Sequence, residues 1–187
     1  KPDVLIVATG AAPLIPEALK GVDRDNVVTA WEVLAGHEAS LAGNVVIVGG
    51  GLVGCETADF LAQTTDNMGV APTHVTILEM QDRLALDGNS EARHLLMERL
   101  QEKRVDIMLK SKADEIVEGG VLFTKDGKEV SVQGAEYVIL ATGAKSVDNL
   151  STAVKDKVAE IVVIGDARHP ATALQATAQA AWAARDI

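Results

Sequence analysis

Apolar and polar positions divide the chain into short blocks of distinct period. Val4-Leu5-Ile6-Val7-Ala8 is an uninterrupted apolar run stopped by Thr9-Gly10, as expected of a strand buried on both faces of a parallel sheet. Pro13 to Pro16 reads as a connection, after which Val27 and Val28 lead into a short helical pattern through Trp31, Val33 and Leu34, ended by Gly36. Gly43-Asn44 opens a second buried strand, Val45-Val46-Ile47-Val48, followed by a Gly49-Gly50-Gly51 turn. Leu52 to about Gln63 has helical composition with small residues on one side. Val75-Thr76-Ile77-Leu78 returns as a third β-rich run and completes a βαβ unit, whose crossover is right-handed in nearly every known parallel pair.

Further on, Asn89 or Ser90 can cap a helix in which Leu95, Leu96 and Leu100 recur among Glu91, Arg93, Glu98 and Lys103. Val105 to Leu109 predicts another strand. The period then changes: Ile116-Val117, Val121 to Thr124 and Glu129 to Val132 are short alternating runs, with Asp126-Gly127 suited to a two-residue hairpin turn. These predict an antiparallel meander. Tyr137-Val138-Ile139-Leu140 runs into Ala141-Thr142-Gly143, repeating the Ala8-Thr9-Gly10 that ends the first strand. Ile161 to Ile164 runs into Gly165-Asp166, and Ala171 to Ala184 is an alanine-rich helical tail. The fold class is therefore α/β, a Rossmann-like parallel sheet with an antiparallel β-meander.

Composition narrows the function classes. A chain of 187 residues, 48% hydrophobic, can bury a real core, and no apolar stretch approaches the roughly 20 residues needed to span a bilayer. Seventeen basic against 27 acidic residues give a net charge of −10, which repels a phosphate backbone at long range and argues against nucleic-acid binding. Any phosphate ligand must be held locally. Cys55 is the single cysteine, so there is no internal disulfide, C-x-x-C pair or cysteine-based iron-sulfur or zinc site, and a cytoplasmic setting is expected. Its place near a helix start lowers a thiol pKa in principle, but a small packing residue is the plainer role. The four histidines, His37, His74, His94 and His169, lack the spacing of a metal site. Lys1-Pro2-Asp3 lacks the order of a secretion signal and has the look of an excised segment.

The chemistry centres on Gly49-x-Gly51-x-x-Gly54, placed between a buried strand and a helix. There Gly49, Gly50 and Gly51 permit a tight turn and close backbone approach to a pyrophosphate, and Gly54 lets the helix pack on the strand. Free amides at Leu52 and Val53, at the positive end of the helix dipole, would face two phosphate charges despite the protein's net charge. Glu56, in the first helical turn, complements the same dipole. Glu79 ends the next strand, where a carboxylate accepts from adenosine ribose hydroxyls and repels a 2′-phosphate. Its offset, 79 − 49 = 30 residues, exceeds the roughly 20 usual for the motif, and Thr64 to Thr73 fits as a looped insertion. Glu79 favours NAD(H) over NADP, while Arg83 offers a guanidinium that a 2′-phosphate would accept.

With these residues in place the chain resembles the two-domain FAD/NAD(P) reductases of the pyridine nucleotide-disulfide oxidoreductase superfamily. There, an Ala-Thr-Gly strand leaves the FAD domain, an NAD domain follows, a second Ala-Thr-Gly marks the return, and Ile-Gly-Asp completes the FAD domain. The resemblance carries FAD contacts onto Thr9, Gly10, Thr142, Gly143, Gly165 and Asp166, with Asp166 accepting from a flavin ribityl hydroxyl. It implies an NAD(P) domain over 23–145 and a partial, split FAD domain from 1–22 and 146–187. Gly21-Val22-Asp23, Asn26 to Ala30 and Val33 to Gly36 look more narrowly like old-yellow-enzyme-like NADH:flavin oxidoreductases, the group of 2-enoate reductases, 2,4-dienoyl-CoA reductases and trimethylamine dehydrogenase. The implied role is an NAD(H)-binding piece of a flavin-dependent enzyme, inactive alone, with FMN and an iron-sulfur cluster in other parts of the parent protein. No catalytic residue is assigned.

Two other readings stay open: a nucleotide-holding scaffold that keeps ADP without transferring hydride, and a generic ferredoxin-reductase-like flavoenzyme. The resemblance also implies that the partial FAD domain lacks its first strand and exposes an apolar sheet edge, which predicts self-association or a swapped arrangement.

Overall fold

The computed structural model describes residues 2–36, 41, 43–62 and 73–187. In chain order the elements begin with β1 (Val4–Val7), β2 (Ala11–Pro13), β3 (Val27–Thr29), α1 (Ala30–Leu34), β4 (Gly43–Val48), α2 (Leu52–Leu61), β5 (Thr73–Leu78) and α3 (Ser90–Glu102). They continue with β6 (Asp106–Met108), β7 (Ser111–Val117), β8 (Gly120–Lys125), β9 (Lys128–Gln133) and β10 (Tyr137–Leu140). The last are β11 (Ala144–Ser146), α4 (Asn149–Val154), β12 (Glu160–Val163) and α5 (Ala173–Asp186). Gln63, His37 and the insertion expected from Thr64 lie outside the described residues, up to Thr73, which opens β5.

Two compact units result, Ile15–Gly143 and a smaller one from Lys1–Leu14 with Ala144–Ile187. The chain thus crosses between units at 14–15 and 143–144, not at 22–23 and 145–146. Residues 15–22 go with the larger unit because Leu19 is buried beside Ile116 and Phe123. The Lys20 carbonyl accepts from the Ile116 amide at 2.8 Å, and Gly21, at φ +78°, approaches the Ile116 carbonyl so closely that a Cβ would collide. Lys145 goes with the smaller unit, where β11 pairs antiparallel with β2, Ala144 opposite Pro13 and Lys145 opposite Ala12.

The larger unit is built on a five-stranded parallel sheet in the order β3-β10-β4-β5-β6. Its central strands β4 and β10 are continuous apolar runs because both faces are covered, while the edge strand β6 exposes Asp106 and Ile107. Alternate residues separate cleanly. Val45, Ile47, Val75, Ile77 and Ile139 pack with Ala58 and Leu61 of α2 and Leu96 and Leu100 of α3. Val46, Val48, Leu78, Val138 and Leu140 pack with Ile116, Val121 and Phe123 of the β7-β8-β9 meander. Asp126 and Gly127, at φ +51° and +73°, join β8 to β9 as the two left-handed residues of a type I′ turn.

Helix ends follow their sequence cues. Asn89 caps α3 by accepting from the Ala92 amide at 2.8 Å. Thr172 and Gln175 form a reciprocal capping box, so α5 begins at Ala173 and not at Ala171. In the smaller unit β1 pairs in parallel with β12, Val4 opposite Glu160 through Val7 opposite Val163. The expectation that β1 is buried on both faces is corrected here: Val7 is buried but Ile6 is 41% exposed, since β12 is its one strand neighbour among the described residues. Among those residues no helix is long and apolar enough to cross a membrane.

Candidate functional site

The central strand of the larger sheet, β4, is followed by Gly49, whose amide donates to the Leu78 carbonyl at 2.9 Å. Gly49 adopts φ +106°, and a Cβ there would strike the Ala141 carbonyl at the end of the neighbouring β10. A Cβ at Gly54 would strike the Gly49 carbonyl and stand 3.2 Å from the Ala141 Cβ. These two glycines draw the first turn of α2 onto the sheet. Gly50 is hemmed in by Leu84 and by the Glu79 Cβ, 2.9 Å from where its own Cβ would be. Gly51 is the N-cap of α2 and supplies no side-chain cap, so the turn presents backbone at the carboxyl ends of β4 and β10, where strand order reverses.

Glu79 follows β5 and is 8% exposed. Its Oε2 accepts from the Gly50 amide at 2.6 Å and its Oε1 from the Gln81 amide at 2.7 Å. Each oxygen keeps another lone pair, so the carboxylate is fixed in place and still able to accept hydroxyl hydrogens. Arg83 faces solvent in a 3.6 Å ion pair with Asp82. Glu56 is exposed on α2.

One expectation fails. The Leu52 amide is not free: it donates to Asp87 Oδ1 at 2.8 Å. Helix geometry leaves the Val53 and Gly54 amides without an acceptor inside the helix. Asp87 arrives on the segment after β5, which folds over the turn: the Ala85 amide donates to the Gly50 carbonyl at 2.8 Å, Leu84 and Ala85 are buried, and Arg93 Nε donates to the Leu84 carbonyl at 2.7 Å. Neither periodicity nor motif spacing marks Asp87, because its partner lies 35 residues away. An acidic residue two places before the Asn89 cap was the available cue.

Cys55 is buried, and its thiol is pushed up to about 12 first by burial and then by the Asp87 and Glu79 carboxylates. The electrostatics of this helix start therefore suppress thiolate formation, against the general expectation for that position.

The smaller unit brings together four of the residues tied to flavin. Because β1 and β12 are adjacent and parallel, Thr9-Gly10 and Gly165-Asp166 both follow the same end of that pair. The Thr9 hydroxyl donates to the Val147 carbonyl, and the Val147 amide to the Gly10 carbonyl at 3.0 Å. The Gly165 amide donates to Gln179 Oε1 at 2.8 Å, and Asp166 Oδ1 accepts from the Ala171 amide at 3.1 Å. Thr142 and Gly143 instead close the larger unit after β10, Gly143 at φ +102° with open space where a Cβ would be.

A parallel sheet with a glycine turn at its switch point and an acidic residue following the next strand is the architecture of a dinucleotide-binding domain. Residues 1–180 match the family model of the pyridine nucleotide-disulphide oxidoreductases, and the chain belongs to that family. It is 35% identical to an NADH oxidase of Thermoanaerobacter brockii over 97% of this chain and 28% of that protein. It is 29% identical to a cinnamate reductase of Clostridium sporogenes over 99% of this chain and 26% of that protein. Among solved structures, a 2-naphthoyl-CoA reductase in complex with 2-naphthoyl-CoA superposes with a TM-score of 0.81 at 29% identity, covering 94% of this chain and 25% of that one. Histamine dehydrogenase from Rhizobium sp. 4-9 shares the fold with a TM-score of 0.84 at 20% identity, over 99% of this chain and 29% of that one. The chain therefore spans less than a third of each of these proteins, and the expected likeness to enoate-reductase-type flavoproteins is borne out. The family binds FAD and NAD(P); a Cβ at Gly49, Gly50 or Gly54 would strike neighbouring atoms of the protein itself, so these glycines set the close packing of the turn on strand and helix.

Proposed function

We propose that this chain is the NAD(H)-binding part of a larger flavin-dependent oxidoreductase, holding NADH so that its nicotinamide meets a flavin. The single observation that carries the reading is Glu79, tethered through both oxygens beside the glycine turn. Amides of α2 take the diphosphate, and Glu79 takes the ribose hydroxyls and excludes a 2′-phosphate. NADH supplies the hydride; the residues here bind and orient it. In the same reading the smaller unit contributes Thr9, Gly10, Gly165 and Asp166 to FAD, while FMN, an iron-sulfur cluster and the substrate pocket belong to the rest of the enzyme. That remainder, or a second copy of this chain, covers the exposed β1 edge, and the enzyme works in the cytoplasm.

Calorimetric titration of the purified chain with NADH, NADPH and ADP tests the assignment. NADH should bind at least tenfold more tightly than NADPH, consistent with a fixed carboxylate facing a 2′-phosphate. One observation favours a second reading: the groups named above all address the ADP half of the nucleotide. Equal affinities for ADP and NADH would support a nucleotide-holding scaffold instead.

A further inference from the structure

The Asp87 carboxylate stands where an anionic ligand of the α2 start would stand. Its Oδ1 holds the Leu52 amide at 2.8 Å, and its Oδ2 lies 3.4 Å from where a Gly51 Cβ would be. It therefore faces the two backbone positions that a diphosphate must approach. A diphosphate oxygen and a carboxylate oxygen cannot both take one amide hydrogen at that distance, and two anions packed this closely repel. We propose that Asp87 is an affinity-determining residue, an internal anion that holds the first amide of α2 in the ligand-free protein and swings out to admit the diphosphate; this rests on the NAD(H) reading above.

The segment is built for such a movement. Its near end is anchored, with Leu84 and Ala85 buried, the Ala85 amide on the Gly50 carbonyl at 2.8 Å and Arg93 on the Leu84 carbonyl. Beyond the anchor, Leu86 is 53% exposed and Asp87 is exposed, so both have solvent to move into, within a turn closed by the Gly88 amide on the Ala85 carbonyl at 3.1 Å. The Glu79 tethers lie upstream of this anchor and stay in place. The ribose contact and the phosphate contact are thereby separated: displacing Asp87 opposes every ligand carrying the diphosphate and leaves a phosphate-free nucleoside unaffected.

The experiment measures Kd for NADH and for adenosine on the whole chain and on the variants Asp87→Asn and Asp87→Ala, with thermal melting to check that each is folded. Asparagine keeps an acceptor for the Leu52 amide while removing the charge, so at least one variant retains the native turn. The expected result is NADH binding tightened on the order of tenfold in both, with adenosine affinity unchanged. NADH affinity that is unchanged or weaker in folded Asp87→Asn, with adenosine still bound, overturns the proposal and leaves the nucleotide reading standing. Failure of the unsubstituted chain and both variants to bind either ligand sinks the nucleotide reading and this proposal together.

Discussion

Glu79 Oε2 accepts the Gly50 amide at 2.6 Å, tying the end of β5 to the turn that follows β4. That bond joins the residue proposed to select the ribose to the residues proposed to hold the phosphates, so one side chain shapes the turn and, in the proposed reading, also sets its specificity.

Replacing Glu79 by Gln removes the charge and leaves one of the two amides it now accepts from, Gly50 or Gln81, facing an NH2 donor. NADH affinity should fall about tenfold, the value of one charge-assisted hydrogen bond, while NADPH affinity rises or holds, so the preference between the two narrows. Paired titrations of the variant measure this, and an unaltered NADH to NADPH ratio would remove Glu79 from the specificity argument.

The glycines separate by environment. Gly49→Ala and Gly54→Ala each force a Cβ into backbone of the same unit and should cost about 3 kcal/mol or more. Gly119, at φ +68° with nothing near its Cβ position, should cost only about 1 kcal/mol as alanine, from left-handed strain alone. Urea denaturation of the three variants gives the comparison.

Asp59 of α2 sets an acid dependence. Burial by itself pushes its carboxyl up, but hydrogen bonds and charge from Lys103 and Arg99 together outweigh burial and hold it below its ordinary 3.8. Arg99 Nε lies 2.9 Å from Asp59 Oδ2, and Lys103 Nζ reaches Oδ1, so the cluster pins α3 to α2. A carboxyl depressed in the folded state contributes stability that is fully present above its unfolded value and lost as pH falls from there through the folded value. Stability measured from pH 7 downward should therefore decline below about pH 4, less steeply in Asp59→Asn. Lys103→Met leaves the carboxylate paired with Arg99 alone and should cost about 2 kcal/mol at pH 7.

Cys55, with its thiol pushed up to about 12 and fully buried, should resist iodoacetamide at pH 8 in the native protein and react at an ordinary rate once unfolded. Rapid native labelling would show that the start of α2 opens far more readily than its packing implies.

What was legible in the chain follows from the range of each signal. β4, α2, β5 and α3 carry strong local periodicity, and their sheet is buried on both faces, so apolar runs and caps located them within a few residues. Asp126-Gly127 announced its hairpin by itself. β3, β11 and α4 are three to six residues long and lack an apolar period, and β11 is defined by its pairing with β2, more than a hundred positions earlier in the chain. At the site, the glycines were legible from motif spacing and Glu79 from its place after the next strand, despite an offset of 30 residues, and the structure brings Glu79 against the turn. Asp87 was not, because its role comes from a segment folding back on the turn, and the freedom assigned to the Leu52 amide was wrong for the same reason.

The central claim, that bare amides at the start of α2 hold a nucleotide diphosphate, is tested most directly by amide chemical-shift mapping of the isotope-labelled chain during an NADH titration. The largest shifts should fall on Gly50 through Gly54 and on Asp87 and Gly88. Saturable shifts confined to other residues, or no shifts at millimolar NADH, would contradict it.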